Sequence, residues 1–185
     1  MNRESVQVLD TGVTSFHAVA EGVLGALLLT SGLGKAFSQR DLLGTIAAYR
    51  ILPRNAPYPV FAAAAWLLTA GEILLGLGLL SGCFGAGWGG CALFTLFTLA
   101  IVTNLLRGRR HIKCGCGLNG SEERLSWTVA GRAALLAVVA GLLDLTAWHH
   151  PDHAAFVPRM AGAALWLIVL AALRLRAHRF VEEMT

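Results

Sequence analysis

The chain has 185 residues, of which 56% are hydrophobic and only 14% charged, and its formal net charge is +4. Soluble domains carry about a quarter charged residues, so this composition excludes an ordinary soluble domain and points to a membrane protein. The basic residues sit at the ends of apolar segments with no basic-aromatic stripe, which suits anionic headgroups and excludes nucleic acid as a partner.

A helix needs roughly 20 mostly apolar residues to cross a bilayer. Five stretches approach that length: residues 16–34, 59–81, 88–106, 127–148 and 156–173. The expected fold is therefore an all-α integral membrane protein, a single polytopic domain over residues 1–185. The first run is expected to be a retained helix rather than a signal peptide. Arg3 is offset by Glu4 and Asp10, and no A-x-A site follows. The fifth run is short and holds Arg159 near its start. If it lies at the interface instead, four helices span.

Between the first two runs lies a segment too polar to span. Phe37, Leu42, Leu43, Ile46, Ala47, Ile51 and Leu52 recur there at helical spacing, with Arg40, Asp41 and Arg50 between them. This pattern predicts a short amphipathic helix at the interface. Pro53, Pro57 and Pro59 then reset the chain for the second span.

With five spans, nearly all Lys and Arg fall on one side. The first loop has Lys35, Arg40, Arg50 and Arg54, the third has Arg107, Arg109, Arg110, Lys113 and Arg124, and the tail has Arg174, Arg176 and Arg179. The positive-inside rule places the N-terminus outside and the C-terminus in the cytoplasm. Cys114 and Cys116 then lie near the cytoplasmic face, and Cys83 and Cys91 near the outer one.

"HIKCGCGLNG" carries the most chemistry. Lys113 and the arginines before it favour the thiolate of Cys114. Gly115 and Gly117 let the backbone turn so that both sulfurs face one partner. A disulfide closed across one residue is strained and hence oxidising. The pair reads as a redox site, against the plainer alternative of two reduced cysteines in a glycine turn. A metal reading is weaker, since a closed zinc site takes four ligands and only Cys114, Cys116 and His111 are local. Cys83 and Cys91 flank "FGAGWGG" and are either a disulfide in an oxidising compartment or two small residues at helix ends.

Other features have ordinary readings. "GAGWGG" lacks the strand and soluble helix that a dinucleotide site needs. Its glycines suit close helix packing, as Gly78 with Gly82 or Gly85 with Gly89 would allow. Charges inside spans are costly and point to pairing or function. Glu21, Glu72 and Arg132 qualify, as does the polar Asn104; Arg132 could extend toward Glu72, and the plainer reading of each is a structural pair or a snorkelling side chain. His149, His150 and His153 surround Pro151 in an interfacial loop rather than a metal site.

Several of these stretches together resemble one family. "GLGKAFSQRDLLGTIAAYRILP" places a G-x-x-K turn before the amphipathic helix. "WLLTAGEILLGLGLL" sets a glutamate in the second span, and "FTLAIVTNLLRGRRHIKCGCG" ends the third with C-G-C-G. With "LSWTVAGRAALL", these are similar to the MauE family of methylamine utilisation membrane proteins, related to DoxX-like redox proteins. One departure is Arg132-Ala133, where the family usually has Arg-Asn. The resemblance implies a bacterial inner-membrane factor for maturation of the β subunit of periplasmic methylamine dehydrogenase. It implies a thioredoxin-like partner, MauD, and thiol–disulfide exchange through Cys114 and Cys116. Cys83, Cys91, Lys113, Glu72 and Arg132 are auxiliary candidates. No cofactor is assigned; a quinone acceptor is an analogy with other membrane thiol oxidases. The competing classes are a non-catalytic scaffold for the subunit and, behind it, a small metal or solute carrier. The client is periplasmic, whereas the charge count puts the C-x-C pair on the cytoplasmic side.

Overall fold

The computed structural model describes residues 3–51, 53, 55–112, 114, 124–147 and 156–182, and their regular structure is helical. The helices are α1 (Arg3–Phe37), α2 (Gln39–Tyr49), α3 (Tyr58–Ser81), α4 (Ala86–Leu106), α5 (Trp127–Ala147) and α6 (Phe156–Glu182). All but α2 contain a segment long and apolar enough to cross a membrane. The protein is a multi-pass, all-α membrane protein.

The bounds differ from the expected ones mainly in α1 and α6. The apolar run marks only the lipid-embedded part of a helix, and backbone hydrogen bonding continues beyond it. α1 begins at Arg3, well before the apolar run, and does not stop at "GLGK". The expected turn there is helix through Phe37, so Lys35 belongs to α1 and not to a loop. α6 continues to Glu182, and its stretch Phe156–Leu175 is long and apolar enough to cross a membrane, as a fifth span requires.

α2 follows α1 after a one-residue break at Ser38. It is the expected amphipathic helix, but it ends before Pro53. Arg50 adopts the left-handed conformation, φ 49° and ψ 41°, and its N–H returns to the Ala47 carbonyl. The α3–α4 turn closes similarly. Gly82 takes φ 70°, and the Cys83 N–H reaches the Gly78 carbonyl at 2.8 Å. Gly82 and Gly85 are thus turn glycines with positive φ, not the packing glycines the sequence suggested.

α1 lies at the centre of the packing, against α3 on one side and α6 on the other, while α4 pairs with α5. Apolar burial gives helices in lipid little driving force. Close van der Waals approach and polar contacts hold them together instead. At the α1–α3 crossing, a methyl group on Gly25 would lie 2.9 Å from the Gly76 carbonyl, and the reverse also holds. At the α1–α6 crossing, Gly22 faces the Arg159 carbonyl and Gly162 faces the Val19 carbonyl, each too close for any side chain. Trp166 adds a hydrogen bond to Thr30 at 3.2 Å. Large apolar side chains such as Leu67, Leu74, Leu99 and Ile168 point outward, as a lipid-facing surface requires.

Two apolar clusters fill the interior. One joins Leu24, Leu28, Leu79, Phe94, Ala140 and Leu143. The other joins Tyr49, Ile101, Leu105, Ile112, Cys114, Leu125, Val129 and Ala130. The second lies where the end of α2 meets the α4–α5 connection.

Candidate functional site

Cys114 belongs to this second cluster. It is 3% exposed, although its basic neighbours suggested a thiol facing water. Its backbone is held from two directions. The Tyr49 hydroxyl donates to the Cys114 carbonyl at 3.0 Å. The Leu125 N–H donates to the Ile112 carbonyl at 3.1 Å, joining the two ends of the connection. Apolar side chains from α4 and α5 close the pocket. Buried cysteines are inert, so this thiol has to be uncovered before it meets a partner. Cys116 and Lys113, and the histidines at 149, 150 and 153, lie outside the described residues.

Cys83 and Cys91 are both free thiols. Cys83 is exposed in the α3–α4 turn, and Cys91 packs on α5, its Sγ 3.3 Å from where a methyl group on Gly141 would lie. α4 has 21 residues, about 31 Å at 1.5 Å per residue. That length separates Cys83 from Cys114, and the two cysteine regions lie at opposite ends of the bundle.

Glu72 is buried on α3 at 1% exposure. Its cation is Lys35 of α1, whose Nζ donates to Glu72 Oε1 and also to Ser31 Oγ at 2.9 Å. The Lys35 ammonium lies 5.2 Å from the centroid of the Phe97 ring, within cation–π range. The expected Glu72–Arg132 pair is therefore replaced, and Arg132 is on the exposed side of α5. An apolar run shows that a residue is in the membrane but not which way its helix faces, so Arg132 could not be excluded beforehand. Two buried acceptors, Glu72 Oε2 and Asn104 Oδ1, have no protein hydrogen-bond partner among the described residues. Phe97, Ile101 and Asn104 recur on one face of α4 at positions i, i+4 and i+7. This face runs from the Lys35–Glu72 pair toward Cys114.

A second polar group lies at the other end of the bundle. Arg159 Nε donates to Glu21 Oε2 at 2.6 Å, and Glu21 Oε1 approaches His17 Nδ1 at 3.7 Å. His17 Nε2 donates to the Leu143 carbonyl at 2.6 Å. The Arg159 guanidinium lies over Gly82, where any side chain would meet Nη1 at 2.5 Å. Nearby, Asp144 of α5 accepts from the Trp88 backbone N–H at 2.9 Å. That places a carboxylate at the N-terminus of α4, which has no side-chain cap of its own.

Sequence reasoning missed Tyr49, Asp144 and the role of Lys35. Asp144 left one usable signal, an acid inside a predicted span. Tyr49 left none, because its partner is 65 positions away.

Comparison with known proteins places these residues in a familiar setting. Residues 13–145 match the family model described as methylamine utilisation protein MauE. The chain is 32% identical over 161 residues to the methylamine utilization protein MauE of Paracoccus versutus, covering 84% of each. It is 29% identical over 154 residues to the protein of that name from Paracoccus denitrificans, covering 80% of this chain and 81% of the other. The counterpart from Methylorubrum extorquens is 32% identical over 114 residues, covering 62% and 60%. No solved structure gives a significant match. Tyr49, Lys35, Glu72 and Cys114 all fall inside the matched residues.

Proposed function

Because the chain belongs to the MauE family of methylamine utilisation proteins, we propose that it matures the β subunit of methylamine dehydrogenase by thiol–disulfide exchange. It acts from the bacterial inner membrane, with its N-terminus outside and its C-terminus in the cytoplasm, together with a MauD-like thioredoxin-fold partner. The observation that carries this reading is the seat of the C-x-C pair. Its first cysteine is fixed to the helix bundle through its own backbone by Tyr49. A fixed backbone at Cys114 holds this sulfur at a defined place on the bundle.

The exchange proceeds in two steps. The Cys114 thiolate attacks one sulfur of a partner disulfide, and the partner's S–S bond breaks. The departing partner thiolate takes up a proton equivalent to the one Cys114 lost. The Cys116 thiolate then attacks Cys114, closes the C-x-C disulfide and releases the partner as a dithiol. Two electrons pass from the pair to the partner, and the reverse sequence oxidises a partner dithiol.

Burial of Cys114 favours a second reading, a membrane scaffold that holds the subunit without turnover. Replacing Cys114 and Cys116 together with serine separates the two. The exchange reading expects cells growing on methylamine to lose mature dehydrogenase. Normal maturation by the double variant would leave only the scaffold.

A further inference from the structure

Tyr49 is the last residue of α2. Its phenol donates to the Cys114 carbonyl, and both residues are buried in the same apolar cluster. The rest of α2 is lightly attached. Only Leu42 and Tyr49 of this helix are buried, and Gln39 Nε2 reaches Thr69 on α3 at 3.0 Å. At one end α2 is set off from α1 by the single residue Ser38, whose N–H still bonds to the Gly34 carbonyl and whose own carbonyl accepts from Leu42. At the other end Arg50 is the one non-glycine residue with positive φ among those described, and it is where a hinge would lie. A non-glycine residue in that conformation is strained and persists where its surroundings hold it there. An amphipathic helix also has a second place to rest, with its apolar face in the headgroup region.

We infer that α2 is a hinged cover over Cys114 and that Tyr49 is its latch. Tyr49 is a positioning residue: it fixes the cysteine's backbone and keeps the thiol closed off until α2 swings into the interface. The biological purpose of the cover rests on the exchange chemistry proposed above. Its geometry does not. A covered thiol is protected from small oxidants and from adventitious disulfides. A partner gains access only while α2 is displaced, so the fraction of open molecules sets the rate.

The cover is tested with Cys114 as the sole thiol. Cys83, Cys91 and Cys116 are replaced by serine, and the full chain is placed in lipid nanodiscs. N-ethylmaleimide then reports the rate of alkylation in the native protein and after denaturation in SDS. The native rate is expected to be at least about tenfold lower, as for a group reached only through local opening. Tyr49→Phe keeps the ring and loses the hydrogen bond, which should raise the native rate roughly fivefold. Tyr49→Ala should raise it further. Arg50→Gly relaxes the left-handed hinge in the closed state and should slow alkylation severalfold. A companion protein with Cys83 as its sole thiol should react at the same rate with or without Tyr49→Phe. Equal native and denatured rates for Cys114 would overturn the cover, as would a Tyr49→Phe protein indistinguishable from its parent. Acceleration of Cys83 to the same degree would also overturn it, because the whole bundle would then have loosened. These rates involve no dehydrogenase, so failure of the cover and failure of the exchange reading are seen separately.

Discussion

Lys35 on α1 and Glu72 on α3 form an ion pair inside the bundle, with side chains 10% and 1% exposed. The pair joins two helices whose backbones also meet closely at Gly25 and Gly76. Removing one member of a buried pair strands the other charge, which costs about 3–5 kcal/mol, whereas replacing both with apolar groups is often neutral. Lys35→Met should therefore destabilise the protein by about 3 kcal/mol, and Lys35→Met with Glu72→Leu should recover most of the loss. Thermal unfolding in nanodiscs measures both. A double variant as unstable as the single one would mean that the stability comes from packing at these positions and not from the pairing of charge.

Asp144 provides a second case of a polar group working across helices. Its carboxylate receives the Trp88 N–H in the first turn of α4. Asp144→Ala should cost about 1–2 kcal/mol, the usual range for loss of a helix N-cap. Asp144→Asn retains an acceptor oxygen and should cost less than half as much. The same melting experiment ranks the two. If Asn and Ala are equally damaging, the negative charge matters and the hydrogen bond does not.

Orientation in the membrane is open to a direct check with Cys83. It is exposed and lies at the bundle end opposite Cys114, beside Arg159 but away from the arginine-rich connection after α4. A membrane-impermeant thiol reagent applied to intact cells should label a protein whose sole cysteine is Cys83. Labelling of Cys83 only after permeabilisation would invert the topology inferred from charge and put the C-x-C pair on the periplasmic side.

The sequence disclosed the spanning helices because bilayer thickness sets their length and lipid sets their composition, and neither depends on contacts. It also disclosed α2, whose periodic face is local. The facing of one helix toward another has no such local signature. Glu72 was recognisable as an acid within the membrane, yet its partner Lys35 was counted among the loop charges because helix α1 continues through Gly32 and Gly34. Cys114 was recognisable as half of a C-x-C pair. Its burial was not, since it packs among residues of α2, α4 and α5, with Tyr49 65 positions earlier in the chain, and a basic neighbourhood suggests exposure.

The crossing of α1 with α6 has a consequence for how the protein is made. Glu21 and Arg159 are 138 positions apart in the chain, so during synthesis α1 must wait for α6 before its carboxylate meets this guanidinium. During synthesis the nascent bundle carries that acid without its final partner, and Gly22 presents bare backbone to lipid. Arrival of α6 resolves both at once, because Arg159 supplies the charge and its own carbonyl lies against Gly22. One contact thereby closes both features in a single step. A product cut short before α6 would leave Glu21 without this guanidinium and the backbone at Gly22 uncovered.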